Sequence, residues 1–212
     1  MTTIGLLGGS FNPAHRGHRR ISLHALRALG LEEVWWLVSP GNPLKEQAGM
    51  AAFESRYGSA LAVARTAPIK VTGIERELGT RFTVDAVRAL RRRFPQHRFI
   101  WLMGADNLAE FHRWREWREI AKLVPIAVVT RPGYDADAHM ARSMGWLRRF
   151  VRPVAQANAW TKWRTPALVL LKSPPDPTSA TALRAADPDW HQRTRKSLYP
   201  KALRDRVTRR PL

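Results

Sequence analysis

Short apolar runs and segments with helical spacing alternate along most of the chain. Runs rich in Val, Ile, Leu and Trp, which predict buried strands, lie at residues 4–7, 34–38, 69–74, 99–103, 126–129 and 167–171. Apolar residues at near-helical spacing, which predict helices, lie in segments 16–29, 53–64, 83–90, 108–123 and 178–185. Because strands that are joined through helices become parallel neighbours, this alternation predicts a parallel sheet flanked by helices.

The predicted fold class is α/β, a Rossmann-like doubly wound parallel sheet in a single domain over residues 1–212. A chain of 212 residues is long enough for one well-buried core and short for two. Residues 134–163 carry the weakest pattern, since a plausible helix is mixed there with an irregular basic stretch. Residues 190–212 form a basic C-terminal segment, either a helix that closes the sheet or a partly disordered arm, and we favour the helix.

The composition excludes several classes of protein. The chain has no cysteine, which excludes disulfides, thiolate nucleophiles and zinc sites built on cysteine. The N-terminus turns to glycine after a few apolar residues, unlike a secretory signal, and no apolar run approaches the length of a membrane span. We therefore expect a cytoplasmic protein with no membrane partner.

The charge is strongly unbalanced toward arginine and lysine. There are 36 Lys plus Arg against 17 Asp plus Glu, a formal net charge of +19 that attracts anions. The basic residues are spread along the whole chain, with clusters only at 91–93 and 193–210. This spread favours a compositional bias over nucleic-acid binding, which is kept as the alternative from another functional class. The sequence leaves the oligomeric state open, and a homo-oligomer is compatible with it.

The loop after the first predicted strand carries candidate phosphate ligands. Residues 8–18 read GGSFNPAHRGH. Glycines let a backbone approach a ligand closely, and a helix N-terminus offers free N–H groups to phosphate. His15 and His18 are three residues apart, which on a first helical turn places both imidazoles on one face. Both rings can donate hydrogen bonds to phosphate oxygens there.

A second phosphate candidate follows the last predicted strand. Residues 179–184 read SATALR at the start of a predicted helix. The Ser179 hydroxyl and the first amides of the helix can hold the β and γ phosphates, while Arg184 adds a delocalised cation. Read alone, Ser179 is equally well an N-cap and Arg184 a solvated residue.

Together, the two segments resemble the His-x-Gly-His and Ser-x-Thr-x-x-Arg signatures of the class I nucleotidyltransferase superfamily. The resemblance extends from residue 4 to about residue 185. It implies a reaction of ATP with Mg²⁺, in which His15, His18 and Arg184 are catalytic, and it implies no metal ligand from the protein. The ATP-binding residues that it implies are Gly8, Gly9, Ser10, Phe11, His15, His18, Gly104, Asp106, Ser179, Thr181 and Arg184.

The acceptor of the transferred group is indicated by the middle of the chain. Residues 104–108 read GADNL and residues 111–117 read FHRWREW. These segments resemble the nicotinate-nucleotide adenylyltransferase branch of the superfamily, in which Gly-x-Asp-x-Leu precedes Phe-x-x-Trp. The resemblance implies nicotinate mononucleotide as the acceptor, with its ring on Trp114 and with the ATP ribose on Asp106. The acceptor-binding residues that it implies are Lys45, Thr83, Trp114, Arg115 and Arg131.

Several of these residues also have a structural interpretation. Trp114 and Trp117 could form a buried stripe, Lys45 could be a solvated loop lysine, and Asp106 could be an N-cap. The superfamily serves several acceptors, so nicotinamide mononucleotide and phosphopantetheine stay open.

The sequence departs from the superfamily pattern in two places. Asn12 stands where Asp is common, and the loop at 40–45 lacks the Pro-Pro-His of many relatives. We expect the departure at position 12 not to alter the reaction, whereas the departure at 40–45 leaves the phosphate contacts of that loop open. An acceptor phosphate is already a nucleophile near neutral pH, so direct in-line attack on the α-phosphorus of ATP needs no catalytic base.

Overall fold

A six-stranded, all-parallel sheet forms the centre of the computed structural model, which describes residues 1–41, 49–130, 140–174, 178–198 and 203–212. The strand order is β3-β2-β1-β4-β5-β6. This confirms the predicted α/β, Rossmann-like class, because the order reverses between β1 and β4 as in doubly wound sheets. The strands are β1 (Thr3–Gly9), β2 (Glu33–Val38), β3 (Ile69–Thr72), β4 (Arg98–Gly104), β5 (Ile126–Thr130) and β6 (Leu168–Lys172).

Helices cover both faces of this sheet. The α-helices are α1 (Arg16–Leu29), α2 (Phe53–Ala64), α3 (Ile74–Glu77), α4 (Thr83–Arg93), α5 (Ala105–Glu110), α6 (Trp117–Leu123), α7 (Met144–Leu147), α8 (Ala180–Ala186) and α9 (Trp190–Leu198). Short 3-10 helices lie at Phe111–Arg113, Arg148–Phe150 and Val154–Lys162. In the described part of the chain, no helix has both the length and the apolar character that crossing a membrane requires.

The two tryptophans of β2 show how the strand pattern builds two apolar layers. Trp35 packs edge-on against Phe94 and Phe99 on one face of the sheet. Trp36 lies on the opposite face, where its indole N–H donates to Ser22 Oγ of α1 at 2.8 Å. Because successive side chains of a strand point to opposite faces, a strand buried on both sides needs apolar residues without alternation.

The structure corrects the predicted elements in three places. The run at 69–74 is a strand only to Thr72, and α3 begins at Ile74. The prediction of a single helix at 108–123 is wrong, because the helical segments are interrupted between Arg113 and Trp117, where Glu116 adopts φ 48°. The C-terminal segment is helical at α9, whereas residues 203–212 fold without a helix against the edge strand β3.

Candidate active site

A cleft of about 640 Å³ lies beyond the carboxyl ends of β1, β2 and β4, next to the point where the strand order reverses. Ligands of open α/β sheets bind at this position because loops from both halves of the sheet diverge there. The predicted ATP-binding residues that line it are Gly8, Gly9, Ser10, Phe11, His15, His18, Gly104, Asp106, Ser179 and Thr181. The predicted acceptor-binding residues that line it are Thr83, Trp114 and Arg115.

The two histidines hold each other in place at the start of α1. The Nδ1 atom of His15 accepts the Gly17 N–H at 3.1 Å, and the Nδ1 atom of His18 accepts the His15 N–H at 3.1 Å. The ring centroids are 3.9 Å apart. Since each Nδ1 accepts a backbone N–H, the proton of each neutral ring is on Nε2, where it can be donated to an anion. This reciprocal capping fixes both tautomers.

Gly17 is required by the packing of the His15 ring. A Cβ atom built on Gly17 would lie 2.9 Å from the Nδ1 and Cε1 atoms of His15. Any side chain at this position would therefore displace the imidazole. The glycine of the His-x-Gly-His segment thus has a steric cause within the turn itself.

Arg184, a predicted ATP-binding residue, is not among the residues that line the cleft, and it joins the two predicted phosphate segments. Its guanidinium donates to the carbonyl oxygen of Asn12 at 2.7 Å and to Thr181 Oγ1 at 3.3 Å. Ser179 is the N-cap of α8, with its Oγ accepting the Ala182 N–H at 3.1 Å. The structural interpretation of Ser179 is therefore correct for this contact, and its hydroxyl keeps a donor hydrogen for a ligand.

Asn12 ties the glycine-rich loop to the segment that precedes α2. Its Nδ2 donates to the Gly49 carbonyl at 3.0 Å, and its Oδ1 accepts the Ala51 N–H at 3.1 Å. An aspartate could accept the second hydrogen bond but could not donate the first. The departure from the superfamily pattern at position 12 is thus matched by a contact that uses the amide.

The end of β4 brings a carboxylate into the cleft. Gly104 ends the strand, and a Cβ atom on it would collide with Oδ1 of Asp106. Asp106 is exposed and makes no side-chain cap to α5. The N-cap interpretation of Asp106 is therefore wrong, and its carboxylate lies on the cleft surface, where a hydroxyl could meet it.

Trp114 and Trp117 have different environments. Trp114 lines the cleft and meets Trp101 and Phe111 edge-on, with ring centroids 6.1 Å and 5.3 Å apart. Trp117 packs edge-on against Trp146 and stacks under the Arg118 guanidinium, away from the cleft lining. Of the two residues, Trp114 has the aromatic surface next to the site and Trp117 is a packing residue.

Lys45 and Arg131, the other two predicted acceptor-binding residues, lie outside the described residues. The described neighbours of these segments are Gly41, which lines the cleft, and Thr130, which ends β5. Both roles therefore stay predictions.

Arg56 supports the loops of the cleft and was not indicated by the sequence. It is 1% exposed and donates to the carbonyls of Ser10 at 2.8 Å, Ser39 at 2.8 Å and Ala51 at 2.9 Å. Burial lowers the pKa of its guanidinium from the usual value. The Arg56 guanidinium thus joins the loop after β1 to the loop after β2. The available signal was its position among small and apolar residues in α2, where a solvated arginine would be out of place.

Glu75 is a second unpredicted residue of the cleft wall. It is 8% exposed, lines the cleft from α3, and burial raises the pKa of its carboxyl to about 7. A buried carboxyl is costly to ionise without a cationic partner. No local sequence pattern indicates this residue, because its burial depends on how α3 packs against distant segments.

Comparison with known proteins shows the family of the chain. A model of the cytidylyltransferase-like family matches residues 6–186, which places the chain in a class of nucleotidyltransferases. A relative from Erythrobacter litoralis (strain HTCC2594), described as "Probable nicotinate-nucleotide adenylyltransferase", is 61% identical over 98% of this chain and 93% of its own length. A second relative with the same description, from Parvibaculum lavamentivorans, is 51% identical over 85% of this chain and 90% of its own length. The chain belongs to the nicotinate-nucleotide adenylyltransferases of the cytidylyltransferase-like family.

Two solved structures share the fold. Plasmodium falciparum nicotinic acid mononucleotide adenylyltransferase complexed with NaAD superposes with a TM-score of 0.65 at 15% identity, covering 87% of this chain and 83% of that one. The same enzyme complexed with APC gives 0.64 at 14% identity, covering 93% and 94%. At these identities the likeness extends to the fold alone.

Proposed function

We propose that this enzyme transfers AMP from ATP to the phosphate of nicotinate mononucleotide, releasing pyrophosphate and forming deamido-NAD. One observation carries the proposal: a single cleft is lined both by the His15 and His18 pair and by the Trp114 ring. The first end suits a triphosphate and the second suits a flat aromatic ring. Relatives with 61% and 51% identity carry the corresponding name.

The reaction is a direct displacement at the α-phosphorus. An oxygen of the acceptor phosphate forms the new P–O bond while the bond to the β-bridging oxygen breaks, and pyrophosphate leaves with that electron pair. The acceptor phosphate is ionised near neutral pH, so no base has to remove a proton from it. Positioning and charge stabilisation are then the main contributions of the protein.

The residues at the ATP end act as donors to the phosphates. His15 and His18 donate Nε2–H to α and β phosphate oxygens, and the Ser10 amide and the Ser179 hydroxyl hold the leaving pyrophosphate. Arg184 supports them through its hydrogen bond to the Asn12 carbonyl and through its charge. Preorganised donors of this kind stabilise the charge that develops in the transition state without reorganising during the reaction.

Mg²⁺ is expected to enter with ATP. Among the described residues, no group of three or more His, Asp or Glu side chains could hold a metal ion. Mg²⁺ usually keeps several waters and binds phosphate oxygens, so an ion bound with ATP would supply positive charge beside the pyrophosphate group. The roles of the histidines do not depend on a protein-held ion.

At the acceptor end, Trp114 stacks on the pyridine ring while the backbone N–H groups of Thr83 and Arg115 receive its carboxylate. Arg115 and Phe82 shape this end, with the guanidinium 4.7 Å from the ring centroid. Lys45 and Arg131 are proposed to bind the mononucleotide phosphate. Asp106 is proposed to hold the ATP ribose.

The test is pyrophosphate release by the purified chain with ATP and Mg²⁺. Nicotinate mononucleotide, nicotinamide mononucleotide and phosphopantetheine are supplied in parallel. We expect nicotinate mononucleotide to have the highest kcat/KM. A preference for phosphopantetheine would keep the phosphate site and remove the role of Trp114. No release with any acceptor, together with tight and salt-dependent binding of DNA or RNA, would replace the proposal by nucleic-acid binding.

A further inference from the structure

The described C-terminal residues 203–212 fold against the sheet edge next to the cleft wall. We propose that they form a brace, with Asp205 as a positioning residue, that sets the acceptor end of the cleft. This inference rests on the proposed function, since it names which substrate the brace affects. The brace lies beyond residues 6–186, the part of the chain that matches the family model.

Asp205 anchors the brace at the start of α3. It is 2% exposed, and its Oδ2 accepts the Gly73 N–H at 2.6 Å. Its Oδ1 accepts the N–H groups of Val207 and Thr208 at 2.8 Å and 2.9 Å. A buried carboxylate with three backbone donors is a strong, directional contact. It joins the folded tail to the residue from which α3 starts.

The brace also lies against β3, the strand at the edge of the sheet. The Arg206 N–H donates to the Val71 carbonyl and to the Tyr57 hydroxyl, both at 3.2 Å. The Tyr57 hydroxyl in turn donates to the same carbonyl at 2.8 Å. A methyl carbon of Leu212 would lie 3.2 Å from a Cβ atom on Gly73. The tail is thus attached by hydrogen bonds and by close packing to the strand that leads into α3.

A second attachment reaches the far end of α3. The Arg210 guanidinium lies 2.8 Å from Glu77 Oε1, and the same oxygen lies 2.7 Å from Arg93 of α4. The tail therefore contacts both ends of α3 and is linked through Glu77 to α4. An exposed ion pair of this kind contributes less than the buried Asp205 contact.

The wall between these attachments belongs to the cleft. Glu75 lines the cleft from α3, and its carbonyl accepts the Thr80 N–H at 2.9 Å. Thr83 lines the cleft from the first residue of α4. Loosening Gly73 would displace this wall, where the acceptor is proposed to bind. The histidine turn is held by contacts of its own on α1, so ATP binding should be affected much less.

The test is Asp205→Asn in the full chain. The amide nitrogen cannot accept a hydrogen bond, so either the Gly73 N–H or the Val207 and Thr208 pair loses its acceptor. We expect the KM for nicotinate mononucleotide to rise about tenfold, equivalent to about 1.4 kcal/mol, with the KM for ATP changed less than about twofold. Arg210→Ala should act in the same direction by about twofold.

Trp160→Phe is the matched control. It removes a buried hydrogen bond, from the indole N–H to the Leu29 carbonyl at 3.0 Å, at the C-terminal end of α1 and outside the cleft lining. It should lower the Tm and leave both KM values unchanged. If Asp205→Asn and the control change the two KM values alike, Asp205 has only a general structural role and the proposal is wrong.

Amide hydrogen exchange separates this inference from the proposed function. In Asp205→Asn, exchange should accelerate at residues 73–83 while residues 8–18 stay as protected as in the unaltered chain. Unchanged exchange at 73–83 would overturn the brace. If the unaltered chain does not use nicotinate mononucleotide at all, the proposed function fails while the exchange result still decides whether the brace exists.

Discussion

The two ends of the cleft are built in opposite ways. The histidine turn itself is held by contacts within four residues, since His15 and His18 cap each other and Gly17 leaves space for the ring. The loop before it also accepts hydrogen bonds from Arg56 and Arg184. The acceptor wall is held from far along the chain: Gly73 donates to Asp205, 132 positions away. A site made by local contacts has a recognisable sequence pattern, and a site made by distant contacts does not. The chemistry of this enzyme could therefore be predicted from sequence better than the shape of its acceptor end.

Removing a histidine should give the largest effect. We expect His18→Ala to lower kcat by about 10²- to 10³-fold, because a preorganised donor to the phosphates is lost, while ATP binding weakens much less. Steady-state pyrophosphate release measures both quantities. His24→Ala, on the same helix but away from the cleft lining, is the control and should keep its turnover. Near-normal turnover of His18→Ala would remove the proposed role.

Arg56 tests how far the histidine end of the cleft is independent of contacts from elsewhere in the chain. Arg56→Met should leave the Ser10, Ser39 and Ala51 carbonyls without this donor and should lower the free energy of unfolding by roughly 3 kcal/mol. Urea denaturation measures the change. Arg91→Met, an exposed change on α4, should be close to neutral. Equal stabilities of the two variants would mean that the loops do not depend on Arg56.

The burial of Glu75 in the acceptor wall lowers the free energy of unfolding at neutral and higher pH. Burial raises the pKa of its carboxyl to about 7 from 4.5, so its contribution favours folding below pH 4.5 and is lost as the pH rises through about 7. Glu75→Gln removes this dependence. Between pH 5 and pH 8, the variant should gain roughly 2 to 3 kcal/mol in unfolding free energy relative to the unaltered chain. A difference that stays constant with pH, measured by urea denaturation, would contradict this.

The smallest effect is expected at the aromatic ring of the acceptor end. Trp114→Ala should raise the KM for nicotinate mononucleotide about tenfold through lost stacking, with little change for ATP. Trp117→Ala is the matched variant, since this ring packs on Trp146 outside the cleft lining. It should lower the Tm and leave the ratio of the two KM values unchanged. Equal losses for both substrates in Trp114→Ala would exclude stacking on the acceptor.

The sequence predicted the parallel sheet because hydrophobic periodicity is a local property. It bounded α1 and α2 at the observed residues, Arg16–Leu29 and Phe53–Ala64. It missed the break before Trp117, which follows from a left-handed residue at Glu116 and from aromatic packing across elements. The helix signal of that segment is continuous in sequence, and only the tertiary contacts interrupt it.

The candidate site shows the same difference between residues in local motifs and residues placed by distant contacts. The sequence predicted three parts of the site, each of which is a short motif near the end of a strand. They are the glycine-rich loop, the histidine pair and the segment at 179–184. Arg56, Glu75 and Asp205 were missed because a charged residue is expected to be solvated, and each is buried through partners elsewhere in the chain. Asp205 in particular stands in a basic tail, where nothing local indicates a buried carboxylate.

In the proposed reaction, AMP passes directly between two nucleotides that are bound in one cleft. The most direct test is the stereochemical course at the α-phosphorus, followed with ATP made chiral there by sulfur substitution and with nicotinate mononucleotide as acceptor. A single in-line displacement predicts inversion of configuration in the dinucleotide product. Retention would require two displacements and hence a covalent adenylyl-enzyme, which would contradict direct transfer.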